Sequence, residues 1–351
     1  MPPIRFIHAA DLHLDAAFSG LSRDIPADFA ERLRTATFTA FRRLLDLCER
    51  ESPDFLLLAG DVYNQEDASV SAQLALRDGF RRLESLSIPV FLVHGNHDPL
   101  ASRLRSVRWP GNVTVFGELP DAVPVFRKGE GTPLAIIHGA SHASGRETRN
   151  LAALFRRTEA CGLHVGLLHA TPGDADGVAR YAPFSQGDLK ASGMDYWALG
   201  HIHDRREVCR EPLAAYPGCT QGLHINEPGE KGCLLVTAEA RTDGGYAVRT
   251  SFRPLGPAVW KTLDMDLGGA ASLDELENRL RTGLDRAAAE VWSGCEMLLV
   301  RLRLQGRTEL DGLLRKGTTC AELADRLRED GSGVPRIWIK DIDVATRPCV
   351  E

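Results

Sequence analysis

Five short segments place groups that bind cations or carry protons directly after apolar runs. FIHAADLH carries Asp11 and His13, FLLLAGD carries Asp61, VFLVHGNHD carries Asn96, His97 and Asp98, VGLLHA carries His169, and YWALGHIH carries His201 and His203. Any one of them is as well explained by a turn or a helix cap. Their joint occurrence in a chain with only 11 histidines is not. Carboxylates, imidazoles and a carboxamide without thiolates suit a divalent ion such as Mn, Fe or Zn, with Mg also compatible, and disfavour an all-oxygen Ca site. Asp11, His13, Asp61, Asn96, His169, His201 and His203 are too many for one tetrahedral centre. Two ions sharing one carboxylate would use them all, and such a pair, ~3.5 to 4 Å apart, clamps the attacking and leaving oxygens of a displacement at phosphorus. Gly60, Gly95 and Gly200 precede Asp61, Asn96 and His201, where a side chain would obstruct close approach of the backbone.

The elements that must position these groups are legible in the apolar patterning. Strand-like runs alternate with amphipathic stretches through the first two hundred residues, as in βαβ units wound into a buried sheet. Strands are expected at 4–7, 55–59, 89–93, 113–116, 134–137, 165–168 and 196–199, with helices at 27–50, 68–86 and 151–160. In open α/β sheets ligands bind outside the carboxyl ends of the strands, where all five segments end. The segments Gly232 to Ala240 and Tyr246 to Leu255, joined by RTDGG, read as an antiparallel hairpin closing one side of a sandwich. Gly256-Pro257-Ala258 then leads into an order of strand (260–265), helix (273–291), strand (297–304), helix (321–330), strand (337–344). The expected domains are therefore 1–255 and 256–351.

The chain has 351 residues, 43% hydrophobic and 26% charged, which fits a soluble globular protein larger than one average domain. No apolar run approaches the ~20 residues that cross a bilayer. The eight cysteines are scattered with no Cys-x-x-Cys pair, as expected for reduced thiols in the cytoplasm. A net charge of -6 argues against indiscriminate nucleic-acid binding. It leaves room for local basic stretches at 103–109 and 204–210.

The ordered pattern D-x-H, G-D, G-N-H-D, H and G-H-x-H resembles the calcineurin-like metallophosphoesterase family across residues 4 to 240. The resemblance implies an αββα sandwich, two sheets flanked by helices, followed by a smaller α+β domain. It implies that Asp11, His13, Asp61 and His203 hold one metal and Asp61, Asn96, His169 and His201 the other, Mn being the expected ion. His97 would be the catalytic histidine near the scissile phosphate. DLHLD, the stretch YPGCTQGLHINEPGEKGCLLV and the extra C-terminal module look like DNA repair exonucleases of the SbcD and YhaO type. That likeness implies DNA as substrate, an SMC-like ATPase partner, homodimerisation, and a C-terminal module that caps DNA or couples to the partner.

Asn64 stands where many relatives place an Asp or a His against the catalytic imidazole, so it is expected beside His97, with Asp98 as a substitute. His224, in the late motif, is a candidate for substrate contact. His8, His94 and His138 are expected to be packed or to support ligands, His142 to lie on a loop near the crevice, His164 to lie on the surface, and Tyr63 to be either site wall or core. Two further readings fit the same residues. One is a small-molecule phosphodiesterase or phosphatase. The other is a binding subunit whose main task is to dock on an ATPase.

Overall fold

The computed structural model describes residues 2–21, 25–64, 69–102, 107–175, 179–242, 244–329 and 333–349. Residues 103–106 of the first basic stretch therefore lie outside the described residues. The chain divides into two compact units, one formed by 1–16, 37–221 and 231–255, the other by 17–36, 222–230 and 256–351.

The first unit is built on two six-stranded sheets. One has the order β12 (Tyr246–Pro254), β11 (Gly232–Ala240), β1 (Ile4–Ala9), β2 (Phe55–Ala59), β3 (Val90–Val93), β4 (Val113–Val115). The strands β1 to β4 run parallel, and the expected hairpin β11–β12 adds to β1 antiparallel. The other has the order β5 (Asp121–Val125), β6 (Ala135–Ala140), β7 (Leu163–His169), β8 (Tyr196–Gly200), β10 (Leu213–Tyr216), β9 (Arg206–Arg210).

Strand β2 explains why the layers assemble. All five residues of FLLLA are buried, because alternate side chains serve two cores. Phe55, Leu57 and Ala59 meet Val165, Leu167, Tyr196 and Ala198 of the opposite sheet. Leu56 and Leu58 face the helix α2 (Ala36–Glu51), through Leu44, Leu45 and Cys48, and the helix α3 (Val70–Ser85), through Leu76, Phe80 and Leu83. The second sheet is covered on its outer face by Leu151, Phe155 and Leu189, the last from the short helix α4 (Gln186–Ala191). The result is the sandwich of two helix-flanked sheets.

The second unit carries three parallel strands, β13 (Ala258–Asp266), β14 (Met297–Gln305) and β15 (Arg336–Val344). Helix α5 (Leu273–Glu290) packs Leu276, Leu280 and Leu284 on one face, with α6 (Asp311–Leu314) and α7 (Thr319–Glu329) completing that layer. Helix α1 (Ala27–Arg34) covers the other face by burying Phe29 and Leu33 against Trp260, Leu299 and Trp338.

Three expectations need correction. The helix expected at 27–50 is two helices broken at Thr35, whose N–H caps α1 on Glu31 and Leu33 carbonyls; α1 belongs to the second unit and α2 enters the first. The periodicity continues across the break because both apolar stripes face a core, although different ones. The stretch 151–160 contains only a short 3₁₀ turn at Ala152–Leu154. His164 is buried in β7, where its Nδ1 lies 3.0 Å from His138 Nε2 and its Nε2 donates to the Ala160 carbonyl.

Candidate metal centre

Every segment singled out by residue type ends at the same margin of the first unit. Asp11 and His13 follow β1, Asp61 follows β2, Asn96 and His97 follow β3, His169 closes β7, and His201 and His203 follow β8. The backbone is strained where it turns. Asp11, His13, Asp61 and His201 adopt φ values of 51°, 41°, 49° and 103°, a region that costs non-glycine residues energy and persists where surrounding contacts enforce it. Here they do: Asp11 N–H donates to the Gly60 carbonyl, His13 N–H to the Asp61 carbonyl, and His201 N–H to the Asp11 carboxylate at 3.0 Å.

Two glycines are sterically required. A Cβ on Gly200 would fall 1.8 Å from the Ala59 carbonyl oxygen, and one on Gly95 2.3 Å from Asp61 Oδ1. These two positions let the two sheets close on each other at the point where the carboxylate projects.

The side chains form two groups. Asp11, His13 and His203 offer ligand atoms all within 4.8 Å of one another, and so do Asp61, His169 and His201. Asp61 reaches both: its Oδ2 is 3.3 Å from His169 Nε2 and 4.0 Å from His13 Nε2. His13 Nε2 is 3.1 Å from His203 Nε2, and Asn96 Oδ1 is 3.0 Å from His169 Nε2. All seven candidate ligands are thus brought together.

Backbone and amide partners set the imidazole tautomers. His169 Nδ1 donates to the Ala59 carbonyl at 2.9 Å, His201 Nε2 to the Ala179 carbonyl at 3.1 Å, and His13 Nδ1 to Asn64 Oδ1 at 2.6 Å. In each ring the other nitrogen is left as the lone-pair donor, the arrangement that orients histidine ligands. Asp11 and Asp61 are fully buried, and their carboxylates face these nitrogens. Buried carboxylates and imidazole nitrogens aimed at one another call for a cation, a proton or a metal ion, between them. The donor set therefore fits divalent metal ions.

The electrostatics agree. Burial would raise the Asp61 carboxyl, but the His169, His13 and His97 imidazoles outweigh it and hold the group below its ordinary value. Burial opposes protonation of His169, yet Asp61 and Asp11 lift its pKa to about 9, so without a metal ion a proton occupies its Nε2 in the place of the cation. Burial lowers His13, and it takes His201 down to about 3, so both present the neutral form a metal needs. Burial raises Asp11 against the pull of His169 and His203.

The remaining predicted residues take distinct places. His97 is exposed, anchored by its backbone N–H to Asp61 Oδ1 at 2.9 Å, with its ring 5.2 Å from that of His13. Asn64 is not beside His97 but behind His13. Asp98 does not orient His97 either: it is buried and accepts backbone N–H groups of Asp61, Val62 and Gly95 at 3.3, 3.0 and 2.7 Å, tying the β2 and β3 loops together. His224 belongs to the second unit, where its Nε2 lies 3.2 Å from Glu227 Oε1. His142, expected near the crevice, donates Nε2–H to the His169 carbonyl at 2.6 Å and fixes that strand end. The carbonyls of Ala59 and Ala179 were not found by sequence reasoning, since backbone groups carry no signature in residue type.

Residues 4–205 match the family model described as calcineurin-like phosphoesterase, and residues 260–347 match the middle domain of metallophosphoesterase YhaO. The chain is 36% identical over 348 residues to the uncharacterized metallophosphoesterase YhaO of Bacillus subtilis (strain 168), covering 98% of this chain and 82% of that protein. It is 28% identical over 320 residues to the DNA double-strand break repair protein Mre11 of Aeropyrum pernix, covering 83% of this chain and 69% of that one.

Proposed function

Because the chain belongs to the calcineurin-like phosphoesterase family, we propose that it is a metal-dependent phosphodiesterase acting on DNA, an exonuclease or endonuclease subunit of a repair complex. The observation that carries the proposal is the position of Asp61, whose Oδ2 faces both His169 and His13 and so lies between the two ligand groups.

In this reading Asp11, His13, Asp61 and His203 hold one ion, and Asp61, Asn96, His169 and His201 hold the other; the mixed oxygen and imidazole donors suit Mn, Fe or Zn, and Mn is the ion proposed. Two divalent ions bound there would supply Lewis acidity, lowering the pKa of water and neutralising charge on a phosphate. The chain supplies the rest. Asp61 is kept ionised by its imidazole neighbours. Asp98 fixes the loop that presents Asn96 and His97. His97, exposed at the mouth, orients the phosphate or donates a proton to the leaving oxygen.

DNA as the polymer is supported by the similarity to a DNA double-strand break repair protein, Mre11. The resemblance of the sequence motifs to nucleases of the SbcD and YhaO type implies an SMC-like ATPase partner and a homodimer, and the scattered cysteines without a Cys-x-x-Cys pair suit a cytoplasmic setting. No described helix is long and apolar enough to cross a membrane. The test is metal analysis of the purified protein together with cleavage of linear duplex and oligonucleotide DNA, with and without an ATPase partner. Two ions per chain and Mn-dependent strand scission are expected. An Asp61→Asn variant that retains both would end the proposal.

A further inference from the structure

The three-stranded sheet of the second unit has two edges that differ in kind. At the β15 edge the outward carbonyl of Ile339 accepts from the Arg328 guanidinium at 3.1 Å, and α7 packs against the strand. The register also shifts there, so that Asp341 instead of Lys340 faces Arg301. A bulge and a covering side chain both stop an edge from pairing further.

The β13 edge is regular: its register with β14 runs unbroken from Ala258 opposite Met297 to Asp266 opposite Gln305. In a parallel pair each residue that directs its N–H and C=O to the neighbouring strand alternates with one that directs both away. Met297 N–H donates to the Pro257 carbonyl and Leu267 N–H to the Gln305 carbonyl, so the odd-numbered residues of β13 serve β14. The even-numbered ones face outward, and at Trp260 the outward carbonyl accepts from Gly229 N–H at 2.9 Å in an antiparallel bridge. Beyond that bridge the Asp266 carbonyl takes a long contact, 3.4 Å, from Arg279. The N–H and C=O of Thr262 and Asp264 and the N–H of Asp266 meet no partner among the described residues, and all three residues are exposed.

We infer that this edge accepts an extended segment of another polypeptide as an added strand, one that carries Lys or Arg at every second residue. A groove of about 610 Å³ runs beside the edge, bounded by Asp264 and Met265 on the strand and by Asn278, Thr282 and Arg286 on α5. An edge strand next to a helix is the arrangement in which main-chain hydrogen bonds supply affinity and room for alternate side chains supplies specificity. Leu263 and Met265 pack toward the α5 layer, so the carboxylates of Asp264 and Asp266 stand on the opposite face. Each uses its Oδ1 within the unit, Asp264 for the Gln305 amide and Asp266 for the Gly268 N–H. The Asp264 side chain remains 60% exposed. Residues of an added strand directly opposite these two share their face, and opposite charges there are favourable.

The same carboxylates turn away a second copy of this chain. In a two-fold antiparallel pair of β13 strands only even-numbered residues can face even-numbered ones. Centring the pair on Asp264 sets that residue against its own counterpart, and moving the centre toward Asp266 sets Asp264 against Asp266, like charges in either case. Moving it toward Thr262 brings the incoming strand onto Trp260, where Gly229 already sits. A basic strand meets none of these obstacles. Its binding asks nothing of the metal centre and stands apart from the phosphodiesterase reading.

The test uses the full chain and two fluorescein-labelled peptides, one alternating lysine with threonine and one alternating glutamate with threonine, followed by fluorescence anisotropy. The lysine peptide is expected to bind saturably and one-to-one, and the glutamate peptide about tenfold more weakly, because two cross-strand charge pairs change sign. Asp264→Pro removes an outward N–H and leaves the ladder to β14 intact. Binding should vanish in it while the melting temperature stays close to that of the wild type, since proline is tolerated on the open side of an edge strand. Should that variant fail to fold, the double variant Asp264→Lys with Asp266→Lys decides: it keeps every backbone group and should reverse the order of the two peptides. Absence of binding, equal affinity for both peptides, an unchanged preference in the double variant, or binding untouched by Asp264→Pro overturns the inference. A wild-type dimer in sedimentation that Asp264→Pro dissolves would give the edge to a second copy and overturn it as well.

Discussion

Asn64 Oδ1 stands 2.6 Å behind His13 Nδ1, so the far nitrogen of that ring must present its lone pair toward His203, 3.1 Å away. Two such nitrogens at hydrogen-bond distance repel unless a proton or a metal ion lies between them. A carboxamide on the far side of the ring thus decides which form of the ligand is offered. Removing it with Asn64→Ala should weaken metal retention about 10- to 100-fold, as loss of a ligand-orienting partner does. Metal content after dialysis against graded chelator measures this, and unchanged retention would show that the contact is incidental.

His97 is held at the mouth by its backbone, not its ring. His97→Ala should therefore keep the metal content and the melting temperature while lowering turnover by about 10² to 10⁴, the range for a lost acid–base group. Loss of metal along with activity would make the ring a structural element instead.

The two glycines at the sheet junction predict opposite kinds of damage. In Gly200→Ala the new methyl meets the Ala59 carbonyl, a backbone atom that cannot step aside, and destabilisation of about 1 to 3 kcal/mol or more is expected in chemical denaturation. In Gly95→Ala the clash is with the Asp61 carboxylate itself, so the first loss should be bound metal. If Gly95→Ala binds two ions normally, Asp61 does not occupy the place assigned to it.

Acid should unfold the metal-free protein early. Burial takes His8 down to about 3, and its ring is enclosed between the Tyr196 hydroxyl and the Leu199 carbonyl. The unfolded chain protonates this residue near 6.5 while the folded one does not. Its contribution is thus complete above about 6.5 and is lost as pH falls toward 3, at about 1.4 kcal/mol per pH unit. His169 has the reverse sign: its pKa is raised, so its contribution is complete below about 6.5 and fades as pH rises through about 9. Melting of the metal-free chain should consequently be highest near pH 6.5 to 7. In His8→Gln the acid-side slope should shrink; a slope identical to wild type assigns the acid sensitivity elsewhere.

The residue types and their order determined the outline of this protein. Strands buried on both faces read as continuous apolar runs, and the groups that follow them fall at one margin because parallel strands all end there, so Asp11, Asp61, His169 and His201 could be placed together from sequence alone. Amphipathic periodicity located α3 and α5, since each buries one stripe. Periodicity could not tell which core a stripe faces, which is why Phe29 and Leu33 of α1 looked continuous with Leu44 and Leu45 of α2. Only the tertiary structure decided that Asn64 serves His13 rather than His97, that Asp98 ties loops instead of orienting an imidazole, and that His164 is buried against His138. Those outcomes depend on which backbone carbonyls, amides and neighbouring strands arrive beside a side chain. Such contacts join residues far apart in the chain, 190 positions in the case of Asp11 and His201, and no local spacing encodes them.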